Sequence, residues 1–117
     1  MENIFREGDK YIMTIEEKKI YLASYRVQQM KIERLRCLMF QNPDRREKYK
    51  GTLHRAEHLR NKIEDEIEAV DDGILSEILY GKYICRKSLE EIADRLSYSK
   101  RQIERLHIKA LENFKLL

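Results

Sequence analysis

The chain has 117 residues, of which 42% are hydrophobic and 38% charged, with a net charge of +3. One proline, four glycines and no tryptophan suit a mostly helical protein with much exposed surface. No apolar run approaches the roughly 20 residues of a membrane span, so no membrane partner is expected, and the length suits one domain or a small domain with a helical arm.

Residues 1–13 have no clear period and read as a loose N-terminal arm; MENIFREGDKYIM lacks the apolar core of a signal peptide. Thr14 with Glu17 makes a capping box that opens a long helix, roughly 15–40. Its apolar residues Ile20, Ala23, Val27, Met30, Leu35, Leu38 and Met39 form a broad stripe. Asn42-Pro43 ends that helix, because the residue before a proline is driven out of helical geometry. Asp44 is positioned to cap the next helix, which runs to about Val70. There Tyr49, Ala56, Ile63 and Val70 recur every seven residues, with Leu53, Leu59 and Ile67 beside them, and Gly51 is a weak point. Two helices of about 40 Å with a short connection predict an antiparallel hairpin over 14–70. The stripe on the first helix is wide enough for more than one partner. It predicts a homo-oligomer, a dimer through the hairpin, or docking on another protein; the alternative is packing back on the C-terminal part in a monomer.

Asp71-Asp72-Gly73 then breaks the chain, and Asp72 can cap a helix from Ile74 to about Tyr83. Ile74, Leu75, Ile78, Leu79 and Ile84 give it apolar surface, and GKYICRK turns into Ser88. The stretch SLEEIADRLSYSKRQIERLHIKAL, 88–111, reads as two helices joined by a tight turn. Ser88 with Glu91 and Ser99 with Gln102 are two further capping boxes. Ile92, Ala93 and Leu96 share one face of the first helix, and the small Ala93 permits a close crossing. Ile103, Leu106, Ala110 and Phe114 mark the buried face of the second, which is expected to reach the C-terminus over 99–117. His107 is expected at the edge of that interface.

Charge is unevenly spread. From Arg95 to Lys109 there are five Lys/Arg against one acid, a balance of +4; from Glu57 to Asp72 there are seven acids against two bases, a balance of −5. A basic face attracts phosphates and an acidic one is repelled. The fold class is therefore all-α, a long N-terminal antiparallel hairpin followed by a three- to four-helix helix-turn-helix domain over 71–117. Such a motif places its second helix in the major groove of double-stranded DNA. Arg101 and Arg105, one turn apart, are the candidates for base contacts, since Arg pairs bidentately with guanine. Glu104 either accepts from cytosine or orients one of those arginines. Gln102 either reads adenine or is held by its capping box. Ser99, Lys100, Lys109, Arg86 and Lys87 are candidates for phosphate contacts.

Residues 71–117, about 40% of the chain, resemble region 4 of bacterial sigma factors. The resemblance rests on Leu79, Tyr80 and Tyr83, then Ser88 to Leu96, Ser99 to Ile103, and Ala110-Leu111. YSKRQIERLHIKAL is more similar still to small phage and prophage regulators of the ArpU type, and to a phage-borne family of unknown function that joins a helical hairpin to this domain. Ser97 stands where many such turns have Gly. The chain has no room for the sigma region that melts promoter DNA, so a complete sigma factor is not expected. The resemblance implies transcriptional regulation from phage or prophage, with RNA polymerase as a further partner.

Other chemistry is weakly represented. His54 and His58 share a helix face, but a metal site needs three or four ligands, so no metal is expected. There is no phosphate-cradling Gly-rich loop, no recognisable nucleophile set and hence no expected cofactor or enzyme activity. Cys37 and Cys85 are isolated and read as reduced thiols of a cytoplasmic protein. Two other classes remain as alternatives. One is a small terminase-like DNA-packaging subunit, although that class usually puts its reader before its hairpin. The other is a protein-interaction adaptor whose basic helix binds an acidic protein.

Overall fold

The computed structural model describes residues 5–6 and 10–117; the other residues of the expected N-terminal arm lie outside these. Phe5–Arg6 (β1) pairs antiparallel with Lys10–Tyr11 (β2), Phe5 opposite Tyr11. From residue 15 onward the described chain is all-helical, with α1 Ile15–Gln41, α2 Arg46–Glu68, α3 Gly73–Leu79, α4 Leu89–Leu96 and α5 Lys100–Asn113. Among the described residues no helix is long and apolar enough to cross a membrane.

Local chemistry explains where most helices begin. Thr14 Oγ1 accepts from the Glu17 amide while Glu17 Oε1 accepts from the Thr14 amide, and α1 starts there. Asp72 Oδ1 accepts from the amides of Ile74 and Leu75, fixing the start of α3. At the α1–α2 connection the expectation for Asp44 fails. Pro43, with its fixed φ, opens a 3-10 turn over Pro43–Arg45, which already contains Asp44. Arg45 stands at the N-cap of α2 without a side-chain bond. Asn42 instead closes α1, its amide and its side chain both donating to the Leu38 carbonyl.

The helices α1 and α2 run antiparallel, since Tyr25 bonds Glu64 near one end and Arg36 bonds Glu57 further along. Ile32, Leu35, Leu53 and Ala56 fill the far end, flanked by Met39 and Tyr49. At the near end Leu22, Tyr25, Ile63 and Ile67 join Val70, Leu75, Leu79 and Tyr83, and Ala110, Leu111 and Phe114 of the α5 end, in one continuous core. The broad stripe expected on α1 is mostly open. Of its residues Leu35 is buried, Leu38 and Met39 are half-buried, and Ile20, Ala23, Val27 and Met30 are exposed. The buried face is made by Leu22, Tyr25 and Ile32, which lay outside that stripe, together with Leu35. The reason is that α2 packs on one side of α1 and leaves the other open. Leu59 and Ile74, expected in the core, are likewise exposed.

The helix expected to run to Tyr83 loses its regular bonding after Leu79. Tyr80–Ile84 forms one wide turn in which the Cys85 amide donates to the Tyr80 carbonyl at 3.0 Å. Gly81 lies in this turn against Ile92 of α4, where an added Cβ would stand 3.2 Å from the Ile92 side chain. The last helix also stops short of the C-terminus. Phe114 turns to extended backbone with its ring fully buried against Tyr21, centroids 6.0 Å apart. Replacing Phe114 by Ala should cost about 3–5 kcal/mol, the range for deleting a buried phenyl ring, read as a lower urea midpoint at unchanged slope.

Candidate nucleic-acid interface

The basic residues of the C-terminal part depend on α4, the turn after it and α5. Ser88 and Ser99 each cap their helix as a full box: Ser88 Oγ accepts from the Glu91 amide and Glu91 Oε1 from the Ser88 amide, and Ser99 and Gln102 repeat this. The bonds to Ser88 hold the Glu91 carboxyl below its ordinary range, with Lys87 adding a smaller pull. Between the helices Ser97 takes a left-handed conformation, φ 61 and ψ 40, and the Tyr98 amide donates back to the Ala93 carbonyl at 2.9 Å. That is the glycine-favouring helix stop, made here with serine. Ile92 and Ala93 of α4, Ile103 of α5 and Ile78 of α3 form a compact core beneath the turn, with Leu89, Leu96, Tyr98 and Leu106 around it.

Burial of Ile103, His107, Ala110 and Leu111 fixes the roll of α5 about its axis. Lys100, Arg101, Glu104, Arg105 and Lys109 are consequently all exposed. Arg101, Arg105 and Lys109 follow at steps of four and share one face of the helix. Gln102 is exposed, and its side-chain oxygen is taken by the Ser99 amide. Arg86 is exposed in left-handed backbone, φ 60, and Lys87 is half-buried. Arg86 borders a groove on the side of α1, with Arg26, Met30 and Glu33, rather than lying on α5. The structure thus gathers Lys100, Arg101, Glu104, Arg105 and Lys109 on one helix, with Ser99 at its start, and sets Arg86 and Lys87 before α4.

His107 is not at the edge of the interface but inside it. It is 6% exposed, and its Nε2 lies 2.9 Å from the Tyr83 hydroxyl, a bond whose direction follows the imidazole tautomer. Burial lowers its pKa to about 4, helped by Lys82 and Lys19, and burial with the charge of Glu16 pushes Tyr83 up to about 12. Position 107 stands four residues after Ile103 and three before Ala110, so the helical period alone marks it as inward.

Two other contacts fix α5 at its far end. Lys18 Nζ donates to the Leu111 carbonyl at 2.8 Å, placing a cation on the last turn, where the free carbonyls and helix dipole favour it. Burial lowers the Lys18 pKa against the opposing pull of Glu112. Glu66 is wholly buried and accepts from the Tyr21 hydroxyl, Lys62 Nζ and the Leu117 amide. Sequence reasoning passed over Glu66 because it sits in an acidic run, although it stands three residues after Ile63 and four before Val70, on the inward face of α2, where its three donors satisfy it.

His54 and His58 are both exposed on α2, and no group of three or more His, Cys, Asp or Glu among the described residues is placed to hold a metal ion. No family model matches the chain, and neither curated proteins nor solved structures give a match.

Two stability outcomes follow. Ser97→Gly should stabilise the protein by about 0.5–1 kcal/mol, seen as a higher urea midpoint, because glycine adopts positive φ without the Cβ penalty. His107 gives a pH dependence. The unfolded chain takes up a proton near pH 6.5 and the folded chain only near 4, so between these values the unfolded state binds more protons. Stability should be flat above pH 6.5 and fall on acidification towards pH 4, by on the order of 2 kcal/mol, and His107→Gln should flatten that slope in urea titrations.

Proposed function

We propose that this chain is a sequence-specific DNA-binding transcriptional regulator of phage or prophage type. The α4–turn–α5 unit acts as a helix-turn-helix, preceded by the helical hairpin of α1 and α2, and α5 enters the major groove. The observation that carries this reading is the pairing of a tightly capped two-helix unit with Arg101 and Arg105 held outward on its second helix. Arg101 and Arg105 pair with guanine edges. Glu104 lies one residue before Arg105 and three after Arg101, and orients them or accepts from cytosine. Lys100, Lys109 and Ser99 meet phosphates flanking the groove, as does Lys87 beside the start of α4. Gln102 serves as the cap of α5, because its oxygen is already bonded to the Ser99 amide. The sigma-like resemblance extends the proposal to contact with RNA polymerase.

The test is selection from random duplex DNA by the full chain, followed by titration of the enriched site across a salt series. The wild type should enrich one motif. Arg101→Ala with Arg105→Ala should weaken that site about a hundredfold or more, since each bidentate contact discriminates by about 1–3 kcal/mol. Lys100→Ala and Lys109→Ala should each lower the salt slope by about one and leave the motif unchanged. No enrichment, or enrichment indifferent to the arginine variants, would transfer the basic helix to a protein partner.

A further inference from the structure

A second surface is patterned with equal regularity. Ile20, Ala23, Val27, Met30, Arg34 and Cys37 follow one another on α1 at alternating steps of three and four, the a/d spacing of a coiled coil. All six are exposed, Ile20 by 72%, Val27 by 56% and Met30 by 57%. They lie opposite Tyr25 and Ile32, the residues that α1 turns towards the protein core. The seam runs for about 26 Å at 1.5 Å per residue. Isolated exposed apolar residues are ordinary, whereas a contiguous row at coiled-coil spacing has the pattern of a helix-pairing surface.

We propose that this seam receives a second copy of the chain, α1 against α1, antiparallel about a two-fold axis. The sequence of the seam selects both the occupant and the direction. In a parallel pair Arg34 would meet Arg34 in the core, and Arg26 would flank Lys31, both repulsive. In the antiparallel pair Val27 opposes Met30, Ile20 opposes Cys37 and Arg34 opposes Ala23, whose small side chain leaves room for the arginine stem. The same register brings Arg26 beside Glu33 of the other copy, twice by symmetry. Arg86, bordering the groove with Arg26 and Glu33, adds a second cation near the partner glutamate. A row of this kind fits its own copy, because Arg26 and Glu33 meet as opposite charges only when the same sequence returns reversed.

This surface is distinct from α5, so its fate and that of the DNA-reading proposal separate: a monomer that still selects a DNA motif overturns this inference alone. The full chain should sediment as a dimer at micromolar concentration, twice the 14.2 kDa of one chain. Met30→Glu should give a monomer with unchanged helical circular dichroism. Arg26→Glu alone or Glu33→Arg alone should weaken the dimer about tenfold, two pairs being lost at once, and the double exchange R26E/E33R should restore it. Direction is read by oxidation: I20C/C85S should form an intermolecular disulfide to Cys37, and C85S alone should not. A wild-type monomer at high micromolar concentration, failure of the charge exchange to restore dimers, or ready cross-linking of C85S would overturn the proposal.

Discussion

The outward face of α5 is set by what holds its inward face. Ile103 is clamped under the α4 turn with Ile78, Ile92 and Ala93, while Ala110, Leu111 and Phe114 enter a different core shared with α1, α2 and α3. A helix seated at both ends on separate apolar clusters has little freedom to roll, because interiors are packed closely enough that rotation would open voids. Five charged side chains are thereby presented together without a single ion pair needed to aim them. The position of the candidate interface is a consequence of packing.

Polar contacts then fix which packing is reached. A buried carboxyl group is costly unless its lone pairs are used. Glu66 meets that condition only when α1 supplies Tyr21, α2 supplies Lys62 and the chain after α5 supplies the Leu117 amide. Lys18 adds a cation at the end of α5 from the opposite direction. These contacts also change the meaning of the acidic run. Glu57 pairs with Arg36 from outside the run, offsetting one charge of the −5 balance, while the Glu66–Lys62 pair is held inside the fold and Glu64 accepts from the Tyr25 hydroxyl. The surface is less dipolar than the linear sequence suggests. The tyrosines act as packing residues with a bonded hydroxyl, and burial with the neighbouring glutamates raises the pKa of both Tyr21 and Tyr25.

The Asp71-Asp72-Gly73 break separates two stretches of sequence, yet residues before and after it line one core. That shared core ties the open side of α1 to the same rigid frame as α5. Two faces with different chemistry result. One is basic and short, on α5; the other is apolar and long, on α1. A two-fold pairing on the second would repeat the first by symmetry, which is the arrangement that dimeric readers use on palindromic DNA.

Local chemistry was legible in the residues themselves. The three capping boxes, the Asp72 cap, the stop at Asn42-Pro43, the small Ala93 and the serine turn at Ser97 involve groups within a few positions of one another, so short-range geometry determines them. The charged character of the α5 surface followed as well, because periodicity assigns its opposite face to the core. What the sequence did not decide was which neighbour covers which apolar row. Ile20, Val27 and Met30 are as apolar as Ile32 and Leu35, and only the placement of α2 leaves the first three open. The bonds of Glu66 to Tyr21 and Leu117, the pairing of His107 with Tyr83, and the early end of α5 at Asn113 all depend on partners distant in sequence. Periodicity says that a face is buried; tertiary structure alone says against what, because that depends on contacts no local pattern contains.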